Sequence, residues 1–328
     1  MIHQIYLQPP MNYQEKFDLT PENASYFSIQ FEIIITGMKE NDDSRHLHIC
    51  KSLRDFKGTI ISFDTCENAE EFHYKIETFD GNLIEKVDNK SLIPDLEKFL
   101  RDKKISGSNI CVDITTLKQG ILFLLTSLLL NRVKPARFFA AYTEPIEYKK
   151  KEKPELGQNE EYDLYEKIIG SQNSVPGFTK PQSQRNILLI APMGFDSQRL
   201  QTIYENLKPL RIIPVVGFPS FVPGWNLTAI KMNHMVLKGA ECFDMVKTCE
   251  SASPFEMYKL LEDEFHRHTH NYDIYISPLG TRPHCLGAAL FVSRNRSAYL
   301  IYDFPVEKKY RSESVLKANI YNVSKYIN

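Results

Sequence analysis

Two distant stretches of this chain follow one design, and that design constrains the fold more than any other feature. Tyr272 to Pro283 reads YDIYISPLGTRP, an apolar run rich in β-branched residues that ends in a polar turn. A small-residue apolar helical pattern, His284-Cys-Leu-Gly-Ala-Ala-Leu-Phe-Val, follows at once. Earlier, Ile110-Cys-Val-Asp-Ile-Thr-Thr-Leu-Lys118 leads into Gln119-Gly-Ile-Leu-Phe-Leu-Leu in the same way. Both read as strand, tight turn and helix start. Each turn offers hydroxyls, backbone N–H groups and one cation at a helix N-terminus, the place where α/β proteins bind anions.

The rest of the chain repeats around these turns. Residues 1–28 read as an arm with Pro9-Pro10 and no clear period. From residue 29 the order is a strand (Ser28 to Thr36), a turn, a helix through Leu53, a strand (Thr59 to Asp64), a poorly patterned polar stretch (66–90), a helix (Leu92 to Leu100), the strand ending at Asp113, a helix to about Asn131, and a strand from Ala136. Residues 149–184 change character, from Lys149-Lys-Lys-Glu-Lys-Pro to Pro176-Gly and Pro181, and read as a linker with a short helix near Tyr162–Ile169. The scheme then restarts at Asn186. Met38 to Arg45 matches Met193 to Arg199, each an Asp/Ser cluster suited to helix capping with an Arg on the new helix. Ile212 to Phe218 echoes the second strand, and Phe138 to Tyr148 matches Ala298 to Tyr310. Strands alternating with helices argue for α/β architecture with mainly parallel sheets. The expected fold is two tandem Rossmann-like domains, 29–148 and 185–310, related by internal duplication, with a tail at 311–328. Residues 217–250 read as a loop plus one helix, holding the single Trp225 in an aromatic, Pro-rich stretch that is either a lid or a plain packed loop.

Composition narrows the function classes. A formal net charge of −1 over 328 residues gives no general drive toward nucleic acid or acidic lipid. The longest apolar run, Gly120 to Leu130, is shorter than the roughly 20 residues a membrane span needs. The six cysteines are scattered without a CxxC pair, which fits a reducing compartment, and the start lacks the pattern of a secretion signal. A cytoplasmic protein that neither enters membranes nor binds nucleic acid directly is expected.

Candidate contact residues fall on the strand-end turns. Gly280 permits close backbone approach, Ser277 and Thr281 offer hydroxyls, and Arg282 is a forked cation suited to phosphate. The plain alternative is a helix cap with Thr281 at the N-cap and Pro283 in the first turn. Thr115, Thr116 and Lys118 form the partner turn, where Asp113 either meets a ligand or merely caps the backbone. Arg45 and Arg199 reach toward a ligand from each half, or each pairs with a nearby Asp. His284 and Asp113 are the candidate acid/base groups. The cluster His266-Arg-His-Thr-His270 reads as the solvated end of a helix, and no metal site is expected. Walker A, HExxH and Gly-x-Ser-x-Gly motifs are absent, and no GxGxxG follows either first strand, which argues against an ordinary dinucleotide dehydrogenase. No cofactor is expected.

Asp113-Ile-Thr115-Thr-Leu-Lys118 and Gly280-Thr281-Arg282 together resemble the turn motif of the CRISPR-associated Rossmann fold (CARF) family, an Asp-x-Thr strand end followed by Gly-Gly-Thr-Lys and a helix. The likeness covers roughly ten residues in each half; the first turn lacks the glycines and the second lacks the Asp-x-Thr start. The resemblance implies a sensor of a nucleotide-type ligand in bacterial antiviral defence, with the site between two halves and a protein partner or second copy as its effector. Two other readings stay open: an enzyme that cleaves a nucleotide or nucleoside bond, and a structural subunit of a multiprotein complex.

Overall fold

The computed structural model describes residues 16–19, 30–38, 45–49, 56–67, 72–78, 83–86, 91–151, 162, 164–168, 175–178 and 185–327. The Pro-rich start, the Asp/Ser cluster at 39–44, the continuation of the helix beyond Ile49 and the charged stretch at 152–161 lie outside them.

Runs of buried apolar residues make the central strands, as expected of parallel strands covered on both faces. In chain order the first part holds β1 (Lys16–Leu19), β2 (Ile33–Gly37), β3 (Thr59–Glu67), β4 (Phe72–Thr78), β5 (Leu83–Lys86), α1 (Leu92–Asp102), β6 (Asn109–Asp113), α2 (Gln119–Leu128) and β7 (Arg137–Tyr148). Then come β8 (Tyr165–Ile168), β9 (Ile187–Pro192), α3 (Ser197–Leu207), β10 (Arg211–Gly217), α4 (Trp225–Met232), α5 (His234–Gly239), β11 (Lys247–Cys249) and α6 (Pro254–His268). The chain closes with β12 (Asp273–Ile276), α7 (Arg282–Arg294), β13 (Ala298–Leu300), β14 (Pro305–Glu307) and β15 (Ser312–Asn322).

The class is α/β. One sheet runs β1-β15-β7-β6-β2-β3-β4-β5, and its four central strands β7-β6-β2-β3 are parallel. The other runs β11-β10-β9-β12-β13 and is parallel throughout. β2 in the first sheet and β9 in the second each lie inside, with the next strand on one side and a later strand on the other.

Side chains alternate between two environments along each central strand. Ile33 and Ile35 face the same large core as Leu188 and Ile190, while Ile34 joins one outer cluster and Leu189 another. The buried aliphatic, aromatic and Cys side chains of α1, α2, α6 and α7 all belong to that large core. The two sheets therefore share one continuous apolar interior, with these helices as a middle layer. Helix α2 has nine buried residues in its ten positions and lies against α7, whose residues 282–293 are all buried. A helix apolar on every side must be enclosed on every side. Gly287 lets α6 come close to α7, since a Cβ there would stand 2.4 Å from the Pro254 carbonyl oxygen.

Four segments depart from the sequence reading. The stretch 66–90 is not unpatterned: β3 continues to Glu67 and turns into the antiparallel meander β4–β5. The short helix expected near 162–169 is strand β8, because it finds a partner in β14. The tail from 311 holds β15, which crosses back to pair antiparallel with β7 and in turn takes β1 on its other edge. Residues 217–250 hold two helices and a strand, not one helix.

The shared core predicts one cooperative unit. Leu286→Ala, at a fully buried α7 position, should cost about 2–5 kcal/mol. Far-UV circular dichroism and Trp225 fluorescence should still trace one coincident denaturant transition. Two separated transitions would show that each sheet carries its own core.

Candidate functional site

The second sheet changes direction at β9: the chain passes to β10 on one side and later to β12 on the other. Ligands of open α/β sheets bind outside the carboxyl ends of strands at such a point. A cavity of about 100 Å³ opens there. A single water needs roughly 10–15 Å³ on that measure, so the space suits a small-molecule group.

Two glycines make the floor. A Cβ on Gly194 would lie 2.4 Å from the Leu279 carbonyl oxygen, and one on Gly280 would lie 2.9 Å from Pro192 Cβ and 3.0 Å from His284 Nδ1. Only glycine allows the turns after β9 and β12 to approach this closely. Thr281 caps α7, its Oγ1 accepting from the His284 N–H at 3.2 Å and donating to the Ser251 carbonyl at 2.7 Å.

Four arginines line the cavity: Arg45, Arg199, Arg282 and Arg311. Arg199 is saturated. Its Nε and Nη2 grip both Asp303 carboxylate oxygens at 2.6 Å, and Nη1 donates to the Tyr165 hydroxyl at 2.8 Å. Such a bidentate pair holds structure in place. Arg45 donates from Nε to Ser312 Oγ and from Nη1 to the Thr143 carbonyl, both at 2.8 Å. Arg282 Nη2 donates to both Glu307 oxygens at 2.9 and 3.1 Å, and Arg311 Nη1 meets Glu307 Oε1 at 3.1 Å. Burial pushes the Glu307 carboxyl up, but the Arg282 and then the Arg311 charges more than reverse this and hold it at about 2. Arg282 Nη1 is buried without any hydrogen-bond acceptor.

Aromatic rings form the other wall. Tyr148, Phe195, Phe221 and Trp225 all line the cavity. Tyr148 and Trp225 lie 5.4 Å apart, and Phe195 meets Trp225 edge-on at 5.3 Å while stacking on Tyr162 at 4.6 Å.

Of the residues singled out from sequence, Arg45, Arg199, Gly280, Thr281 and Arg282 come together around this cavity. The first-half turn does not reach it. Thr115 Oγ1 accepts from the Thr143 N–H, Thr116 Oγ1 sits 3.3 Å from Thr36 Oγ1, and both are buried in the first sheet. Lys118 Nζ stands 3.9 Å from Asp64. Only the next residue, Gln119, reaches the cavity, and its Nε2 donates to the Pro278 carbonyl at 3.2 Å. Ser277 is buried outside the lining, its hydroxyl without a partner. Asp113 accepts from the Thr115 N–H, the capping role. His284 lies beneath the glycine floor with Nε2 3.0 Å from the Glu250 carbonyl oxygen. Sequence reasoning missed Glu307, Arg311, Tyr165 and Tyr148. No spacing along the chain marks Glu307 or Arg311 for this site, and Tyr165 falls inside the stretch read as a linker. No protein-family model matches the chain, and no curated protein matches its sequence.

Two buried groups titrate in opposite senses. Burial raises Asp113 from 3.8 to about 6, so the folded state binds the extra proton between those values and this group's contribution falls as pH rises through them. Burial lowers His284 from 6.5 to about 4, so its contribution rises with pH across that window. Asp113→Asn keeps an acceptor for the Thr115 N–H and removes only the first effect. Its stability relative to wild type should climb between pH 4 and 7, by up to about 3 kcal/mol. Urea midpoints at each pH check this, and a constant gap would remove the Asp113 shift.

Proposed function

We propose that this chain is a sensor of an anionic, nucleotide-type ligand, built from two tandem Rossmann-like domains related by duplication. Repeated contacts support the duplication. Arg45, beyond β2, reaches Thr143 on β7, and Arg199, beyond β9, reaches Asp303 just past β13. A Cβ on Gly37 would strike the Thr116 carbonyl oxygen as one on Gly194 would strike that of Leu279.

The observation that carries the ligand reading is Arg282. A buried guanidinium donor without an acceptor is costly, more so than a neutral group's roughly 1–3 kcal/mol. An oxygen of a bound anion relieves that cost. The rings of Trp225, Phe195 and Tyr148 beside it offer π faces for a base, each stacked base being worth about 1–3 kcal/mol in other systems. Both acid/base candidates, Asp113 and His284, stand outside the cavity lining, which favours recognition without turnover over the cleaving enzyme. Such a sensor passes its signal to a protein partner or a second copy, and the CARF-like turns suggest antiviral defence as the setting.

A thermal-shift screen against AMP, ATP, cyclic nucleotides, NAD and ADP-ribose tests this. Ligand at about 100 times its dissociation constant should add roughly 2.7 kcal/mol. Arg282→Ala should abolish the shift, Trp225→Ala should weaken it, and mass spectrometry should recover the ligand intact. No shift with any compound sinks the sensor reading, and a cleaved ligand turns it into the enzyme.

A further inference from the structure

Glu307 holds the position that an anionic ligand would seek. Its carboxylate takes Arg282 on both oxygens and Arg311 on one, the forked arrangement by which arginines grip phosphate. The strand pair that carries it is slight. β14 has three residues, pairs with the four-residue β8 across an irregular register, and joins neither large sheet. Two bulky residues with left-handed backbone, Phe304 at φ 46° and Tyr310 at φ 54°, bracket the segment. Such conformations persist only where their surroundings hold them. The grip of two arginines on Glu307 is one such hold, and the Tyr165 hydroxyl on Arg199 is another.

We propose that the Glu307 carboxylate is a built-in occupant of the anion subsite, which a tetrahedral phosphate group of the ligand displaces, releasing the β8–β14 strand pair. The inference rests on the anion-binding reading above and deepens it. A planar carboxylate engages Arg282 Nη2 and Arg311 Nη1 and leaves Arg282 Nη1 bare. A phosphate brings a further oxygen for that donor and a second negative charge for a subsite of two guanidiniums. A carboxylate ligand brings neither advantage over Glu307. The subsite therefore selects phosphate esters over carboxylates, and occupancy becomes a change in the β8–β14 pair.

Calorimetric titration with inorganic phosphate, and acetate as control, would compare the wild-type protein, Glu307→Gln, and Glu307→Gln with Arg282→Ala. Glu307→Gln should bind phosphate roughly tenfold tighter or more, acetate should gain less, and the double variant should lose the gain. In the wild-type protein, phosphate should speed amide exchange at 165–168 and 305–307. If the wild type binds phosphate through Arg282 but Glu307→Gln binds it no tighter, the anion site stands and the displacement falls. If neither protein binds phosphate or AMP, the anion reading falls as well. Should Glu307→Gln fail to fold, wild-type exchange decides alone, and unchanged or slower exchange at 165–168 and 305–307 overturns the proposal.

Discussion

The contact between α2 and α7 is the constraint on which the rest of the structure depends. Neither helix has a polar face to give to water, so neither sheet can be covered by its own helices alone. Each half supplies the lid of the other's core. That requirement sets the two sheets on either side of one helical layer and brings the N-terminal ends of α2 and α7 together. Gln119, the first residue of α2, thereby bonds the Pro278 carbonyl in the turn before α7. The cavity follows from packing before any ligand is considered.

Within it, polar groups divide by what they have left to give. Arg199 spends its donors on Asp303 and Tyr165 and ties α3 to the strand-end segment after β13. Thr281 spends its hydroxyl on the cap of α7. Arg282 alone among the four cavity arginines carries a buried nitrogen with nothing to meet it. Buried cations are tolerated where they are paired, and a pair that is incomplete marks a place where something else is expected. Satisfaction of donors separates structure from recognition more sharply here than residue type does.

That division explains what could be read from the chain. Ile33–Ile35, Ile110–Val112, Leu188–Ile190 and Ile212–Val216 announce themselves because strands buried on both faces need continuous apolar runs. The strand β4 carries its signal more quietly: Phe72, Tyr74 and Ile76 alternate with His73, Lys75 and Glu77, a period of two hidden among charges. β8, with the sequence YEKI, has no local signal and is a strand only because β14 is there. At the site, Arg45, Arg199, Gly280, Thr281 and Arg282 were legible because strand-end turns concentrate them. Thr115 and Thr116 look the same in sequence, yet their hydroxyls turn inward, toward the Thr143 N–H and Thr36. Glu307 and Arg311 were not legible, since what joins them to Arg282 is the fold of the β8–β14 pair and no spacing along the chain.

The return of β15 to the first sheet has a consequence for how the molecule comes into being. β7 is a twelve-residue strand whose outer edge is matched, among the described residues, by residues 312–322, far along the chain from its parallel neighbour β6. While the chain is being synthesised, that edge stands open for as long as the whole second sheet takes to emerge. An unpaired edge is a template for the wrong partner. β15, made after every other strand of the two sheets, is therefore the one that seals the first sheet, and β1, made before them, can dock only after it.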